Sequence, residues 1–423
     1  MKKPKKNYWE ERSRMSNIPK LRFPEFSGEW EEKKLSDIAS FSKGKGYTKN
    51  DLVNDGSPII LYGRMYTKYE TVISDIDTFV NLQEGSIISK GGEIIVPASG
   101  ETAEEISRAS VVKNKGIILG GDLNIISLQK DKYNPEFFAL TISSGTSQKR
   151  LSKLAQGKSV VHLHNEDLSG LQIKVPTLAE QQKIADFLSN VDSIITAETK
   201  ILNTLQKKKK ALMQKLFTRQ LRFKSEDGTD FPEWEEKCID EIAECIAGAT
   251  PDTKKNEYWE NGTIPWMSSG EVNKKYVYET DRTITQLGYK KCSTKMIPVN
   301  TVVIALAGQG KTRGTVALTK IELCTNQSLC AIINKSEYNS EYLFHYLSSQ
   351  YQELRKISSG GDASRGGLNL KLVGSYRVPL PCLEEQQKIA DCLSSLDSLI
   401  QTQQKVVTTW QQRKKALLQQ MFI

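Results

Sequence analysis

The chain has 423 residues, enough for two to four domains, with 38% hydrophobic and 26% charged residues and a mean hydropathy of −0.45. No apolar run reaches the roughly 18 residues of a membrane-spanning helix, and the basic start "MKKPKKNYWEERSRM" lacks the apolar stretch of a secretory signal, so a cytoplasmic protein is expected. The net charge of +9 fits a polyanionic partner without proving one, and seven cysteines between Cys238 and Cys392, with no C-x-x-C pair, read as reduced thiols.

Taken in order, residues 1–19 form an N-terminal extension, and "MSNIPKLRFPEF" from Met15 offers an alternative start. Residues 20–175 alternate short apolar runs with turn residues. "SPIILY", "GEIIVPA", "GIIL" and "LNIISL" predict strands, and "NPEFFALTISS" from Asn134 predicts a helix with Asn as N-cap and Pro at the first helical position. Residues 176–219 carry a long helix, "PTLAEQQKIADFLSNVDSIITAETKILNTLQKKKKALMQKLF". Residues 220–380 repeat the mixed pattern, with strands at "TVVIALA", "GTVAL" and "LCAII" and a helix from Asn339. Residues 381–423 return to a second long helix, "PCLEEQQKIADCLSSLDSLIQTQQKVVTTWQQRKKALLQQMF".

The chain is therefore written twice. Glu180 and Glu385, Phe217 and Phe422, and Asn134 and Asn339 all stand 205 residues apart. Each half opens alike, with "LRFPEFSGEWEEKKLSDIA" from Leu21 and "LRFKSEDGTDFPEWEEKCIDEIA" from Leu221. In the first long helix Ile184, Leu188, Val191, Ile195, Leu202, Leu205, Leu212 and Leu216 keep a heptad rhythm once Glu198 and Lys209 are counted in. The second gives Ile389, Leu393, Leu396, Ile400, Gln403, Val407, Trp410, Lys414, Leu417 and Met421, with its polar members at the same places. A helix of this kind is about 55 Å long, more than one domain of its size can cover, so the two copies are expected to pair with each other. The fold class is mixed α/β (α+β): two tandem globular domains, each followed by a long helix, the helices forming an antiparallel coiled coil with pseudo-twofold symmetry.

Catalytic patterns are thin. "ALAGQGKT" (Ala305–Thr312) imitates a phosphate-cradling P-loop, but "RGTVALTK" follows where a helix must begin, so a strand-loop-strand is expected. "NPEF" imitates an adenine methyltransferase motif, yet the second copy has Ser340 in place of Pro135. His162 and His164 in "HLH" have no Cys or carboxylate at ligand spacing, and no metal site is expected; His345 lies on a predicted helix, packed or solvated. The polar loops instead interleave cations, amides and aromatics, the residue types that neutralise phosphates and meet base edges. In the first half these are Lys43, Lys45, Tyr47 and Lys49, then Tyr62, Arg64, Tyr66 and Lys68, then Gly100, and Lys149, Arg150 and Lys158. In the second they are Lys254 and Lys255, Ser268 and Ser269, Gln309, Lys311 and Arg313, and Arg365 and Asn369.

The two "EQQKIAD" helices after Val/Leu-Pro segments resemble the conserved regions of the specificity subunits of type I restriction–modification systems. "TPDTKKNEYWENGTIPWMSSGEV" (Thr250–Val272) is similar to the opening of one of that family's target recognition domains. The resemblance covers residues 20–423, although the first half has "PIILYG" where the second has "IPW". It implies a non-catalytic reader of double-stranded DNA in which each domain reads one half of a split target. It also implies that the helices space the domains and dock two methyltransferase subunits, on faces carried by the seam residues above, and that restriction endonuclease/translocase subunits join. S-adenosylmethionine and ATP/Mg then belong to those partners, and this chain needs no cofactor. Two other readings stand beside it: a P-loop NTPase using Gly310, Lys311 and Thr312, and a coiled-coil adaptor that does not touch DNA.

Overall fold

The computed structural model describes residues 17–129, 131–155, 157, 160–308, 312–357 and 367–423. The chain divides into two compact units. Unit 1 takes residues 1–199 and 405–423; unit 2 takes residues 200–404. The long helices, Leu178–Phe217 and Leu383–Met421, thus each begin in one unit and finish in the other.

Unit 1 is built on a five-stranded sheet, ordered Ala39–Lys43, Leu123–Leu128, Glu93–Pro97, Ser110–Val112 and Val72–Ile73. Unit 2 repeats that order with Ala243–Ala247, Leu329–Asn334, Val302–Ala305, Val316–Thr319 and Tyr276–Val277. In both, only the last strand runs parallel to its neighbour. The central strands "EIIVP" and "VVIA" are buried throughout; apart from Glu93, which accepts from Ser89 Oγ and the Lys90 N–H, they are apolar because successive side chains point to opposite faces and both faces are covered. In unit 1 Ile94 and Val96 join the core under the helix Pro135–Ile142, while Ile95 faces a second core with Val112, Leu123 and Ile125. In unit 2 Val302 and Ile304 face the helical side, and Val303 and Ala305 the other.

Within unit 1, Ile184, Ala185 and Leu188 of the first long helix pack with Met421 of the second and with Phe422 just after it, and Asp192 pairs with Lys414. Within unit 2, Leu216 packs with Ile389, Ala390 and Leu393, and Lys209 pairs with Asp397. In each unit rising numbers on one helix meet falling numbers on the other, so the segments run antiparallel. The last aromatic of each copy closes a core: Phe422 stacks 5.6 Å from Phe137, and Phe217 lies 5.9 Å from Tyr342.

The "EQQ" letters clasp each mixed α/β stretch to the long helix that follows it. Arg22 donates twice to Glu180, at 2.7 Å each, and the Trp30 indole donates to the same carboxylate at 3.2 Å. Arg222 and Trp234 hold Glu385 in the same way, at 2.9 and 2.8 Å for the shortest bonds. Both glutamates are buried, which the paired guanidinium and indole make tolerable. Gln181 accepts from the Asn134 backbone N–H and donates to the Pro176 carbonyl, both at 2.9 Å, and Gln386 does the same for Asn339 and Pro381 at 2.9 and 2.8 Å. Gln182 and Gln387 each accept from an Asn side-chain amide at 2.7 Å. Asn134 and Asn339 also cap their helices, accepting from Phe137 and Tyr342 N–H at 2.9 Å. Both the backbone N–H and the side-chain amide of Asn134, the first letter of "NPEF", are thereby used in structure.

Candidate nucleic-acid interface

In each unit the strand-connecting loops converge. In unit 1 the loop after Lys43 lies on the turn at Gly120: Gly44 N–H donates to Leu123 O at 2.9 Å, and Gly121 N–H to Gly46 O at 2.8 Å. A Cβ on Gly44 would overlap the Gly120 carbonyl oxygen. Unit 2 repeats the device, since a Cβ on Gly248 would overlap the Thr325 carbonyl oxygen, 205 residues after Gly120. Backbone approach of this kind admits only glycine. The unit 2 cluster is then tied together by Thr250 Oγ1 to Gln327 Oε1 at 2.6 Å, Leu306 N–H to Ser328 O at 2.9 Å, and Leu368 N–H to Leu306 O at 3.1 Å.

Unit 1 carries a cleft of about 770 Å³ beside its cluster, and Lys49, Tyr62, Arg64, Tyr66, Lys68 and Gly100 all line it. Six of the expected site residues are thus brought to one place. Glu101, Glu105 and Asp77 line it too, so the cleft is of mixed charge and suits base edges, which offer donors as well as acceptors, better than bare phosphate. Tyr66 donates to Ser99 O at 2.7 Å, and burial pushes its phenol up from the ordinary value. A Cβ on Gly100 would meet Tyr66 Oη at 2.6 Å and displace the phenol. Tyr47 is half-buried and bonded to Ser86 Oγ at 2.6 Å, which pins its loop. Lys43, Lys45 and Lys49 are exposed, and Lys149 and Arg150 stand exposed on the helix Gly145–Leu154, outside the cleft lining.

Arg64 differs from its neighbours in the lining. Its guanidinium is buried and bonded to Asp77 and Glu70 at 2.7 Å and to Asp75 O at 2.8 Å. Two carboxylates take up its charge, and it lines the cleft from a buried position. In unit 2 Ser268 is engaged with Glu271 at the start of the turn Ser269–Lys274, and Asn369 caps the helix Leu370–Gly374 by accepting from Leu372 N–H at 2.9 Å. Both act there as caps. Lys254 is exposed, and Lys255 is held at 3.2 Å by Tyr258 Oη. Ser269 and Arg313 are half-buried. Lys158, Gln309, Lys311 and Arg365 lie outside the described residues.

The P-loop reading falls on topology. Val302–Ala305 pairs antiparallel with Val316–Thr319, from Val302 opposite Leu318 to Ile304 opposite Val316, so the chain after Thr312 enters a strand and not a helix. The rings of His162 and His164 are both exposed and lie parallel, 6.3 Å apart. The seam residues named for docking are mostly turned inward: Ile184, Leu188, Val191, Leu202, Ile389, Leu393 and Val407 are buried, and Ile195, Leu205, Leu396, Ile400 and Trp410 half-buried. The seam partners Asp192 and Asp397 are residues that sequence reading missed, although their 205-residue spacing, the same as that of Lys209 and Lys414, was there to be seen.

Fold and site together define a tandem of two loop-presenting units whose long helices are shared, a scaffold for holding surfaces. The chain belongs to the type I restriction modification DNA specificity domain family, whose model matches twice, over residues 27–207 and 232–409. A type I restriction enzyme specificity subunit of Methanocaldococcus jannaschii, MjaIX, is 37% identical over 196 residues, covering 45% of this chain and 44% of that one. The EcoR124I/EcoR124II specificity subunit of Escherichia coli is 28% identical over 225 residues, 53% of each. The chain thus spans about half the length of these two relatives. A third, MjaVIII from M. jannaschii, matches at 27% over 412 residues, 94% of this chain and 92% of the relative. In fold, the chain superposes on the crystal structure of a type I restriction–modification S subunit from M. genitalium with a TM-score of 0.63 and 16% identity, over 96% of this chain and 99% of that one.

Proposed function

We propose that this chain is the sequence-reading, non-catalytic subunit of a type I restriction–modification complex, and that each unit reads one half of a bipartite target in double-stranded DNA. The observation that carries this is the repeated loop cluster. Both units build it on the same sheet order and the same glycine approach, Gly44 in one and Gly248 in the other, yet fill it with different side chains. A common frame with divergent loops is what two independent readers of different sequences need.

The helices dock two methyltransferase subunits through their outward faces, because the seam itself is occupied. Exposed apolar residues recur at repeat positions, Leu178 with Leu383 and Ile194 with Leu399, which supports two copies of one partner. Restriction endonuclease/translocase subunits join that assembly, and S-adenosylmethionine and ATP/Mg are bound by the partners. Among the described residues no helix is long and apolar enough to cross a membrane, in keeping with action on DNA in the cytoplasm. The test is to express the chain with the methyltransferase subunit of its own system and map methylated adenines in the host genome. A split motif with a fixed gap is expected. No sequence-dependent methylation, with the complex assembled, would overturn the proposal.

A further inference from the structure

Arg282 lies on the strand Arg282–Ile284, at the edge of the four-stranded sheet of unit 2. Its guanidinium carbon sits 3.7 Å from the Trp259 ring centroid and 5.8 Å from that of Trp266, directly opposite on the next strand. Trp259 stands edge-on to Trp266, with centroids 5.0 Å apart. Both indoles donate into the loop that opens the unit 2 cluster, Trp266 to Ala249 O at 3.0 Å and Trp259 to Asp252 O at 3.1 Å. The platform under Arg282 is therefore fixed to that loop.

An exposed arginine normally loses much rotamer freedom when it binds. Stacking on tryptophan removes most of that cost in advance, while the residue stays exposed with its planar fork of N–H donors. The charge is also unspent. Asp281, beside it in sequence, is paired with Lys274 at 2.7 Å, and among the described residues no carboxylate pairs with Arg282. Arg222 and Arg64, by contrast, are consumed by buried or half-buried carboxylates. A stacked, unpaired, preoriented guanidinium matches the two acceptors that guanine presents in the major groove, O6 and N7.

We infer that Arg282 is a specificity-determining residue of unit 2 and that it reads a guanine in that unit's half of the DNA target. This rests on the DNA-reading function proposed above. The experiment is selection from a randomised duplex library by the full chain assembled with its methyltransferase subunits, using the wild type, Arg282→Ala and Arg282→Lys. The wild type is expected to return a split motif with a guanine in the unit 2 half. Arg282→Ala should abolish preference at that one position, a change of about tenfold to a hundredfold, and leave the other half intact. Arg282→Lys keeps the charge without the fork and should relax the same position. Trp259→Leu, which leaves Arg282 in place but frees it, should weaken that preference partially. An unchanged motif in Arg282→Ala would overturn the inference. So would a uniform loss of affinity over all sequences that Arg282→Lys restores, since that is a phosphate contact. If the wild type selects no motif at all, the DNA-reading proposal itself fails, a result distinct from either.

Discussion

The two seam ion pairs occupy the same repeat positions but sit in different surroundings. In unit 1 Lys414 Nζ meets Asp192 Oδ1 at 2.5 Å, Thr71 donates to the same carboxylate at 3.1 Å, and Asp192 keeps 32% of its side chain exposed. In unit 2 Lys209 pairs with Asp397, whose side chain is only 7% exposed, and Tyr276 donates to that carboxylate at 3.1 Å. His345, fully buried, places Nδ1 3.9 Å from Asp397 and Nε2 3.1 Å from Ser394 Oγ, where unit 1 has Leu140 at the matching helix position. Burial drives His345 well below its ordinary value, with Lys209 and Lys275 adding to the effect, and burial also pushes Lys209 down against the pull of Asp397. The pair repeated in the sequence is therefore not repeated in its surroundings: one is a part-exposed latch, the other a buried network.

The largest effect should come from breaking the buried pair. Asp397→Asn strands the Lys209 charge, and urea unfolding of the full chain should show unit 2 weakened by about 3 kcal/mol. Asp192→Asn should cost unit 1 about 1 kcal/mol or less, since solvent screens what remains. Equal losses would show that burial is not what separates the two pairs.

The glycine approaches sharpen the comparison from the other side, because there the units agree. Gly44→Ala and Gly248→Ala each push a Cβ onto a carbonyl oxygen and should cost about 1–3 kcal/mol alike. Each should also blur the methylated motif in its own half only. A variant that blurs both halves would mean that the loop clusters do not read independently.

His345 gives unit 2 an acid sensitivity that Leu140 denies unit 1. Its folded-state value lies below the unfolded value of 6.5, so the unfolded chain takes up the proton first. The stability it permits is full above about pH 6.5 and is lost as the pH falls below, at about 1.4 kcal/mol per pH unit. His345→Leu should flatten that slope, read as the change in urea midpoint of unit 2 between neutral and mildly acid buffer. A slope that persists in the variant would assign it to other groups. Smaller still, Lys149→Ala in unit 1 and Lys254→Ala in unit 2 should each lower the salt slope of duplex binding by about one, as loss of one phosphate contact does. A slope unchanged in either variant would place that lysine away from DNA.

Much of this was legible in the sequence, for physical reasons that differ by element. The helix caps Asn134 and Asn339 and the long seams were visible because capping and heptad packing are local patterns. The strands at "EIIVP" and "VVIA" were visible as apolar runs, and only the structure shows that their alternate residues feed two separate cores. The burial of Arg64 was not legible, because an exposed basic loop and a buried ion pair use the same letters; Glu70 and Asp77, close in sequence, are the partners that hold it. Asp397 is paired by a lysine 188 residues away, and the stack under Arg282 joins two strands, so neither shows up in a reading that weighs loops one at a time.

The central claim is that two independent readers share one frame. The most direct measurement replaces residues 230–375 with the matching stretch of a relative of different specificity, and maps the methylated adenines produced with the cognate methyltransferase subunits. One half of the split motif should change while the other half and its methylation persist. A change in both halves, or in neither while the complex stays assembled, would contradict the account.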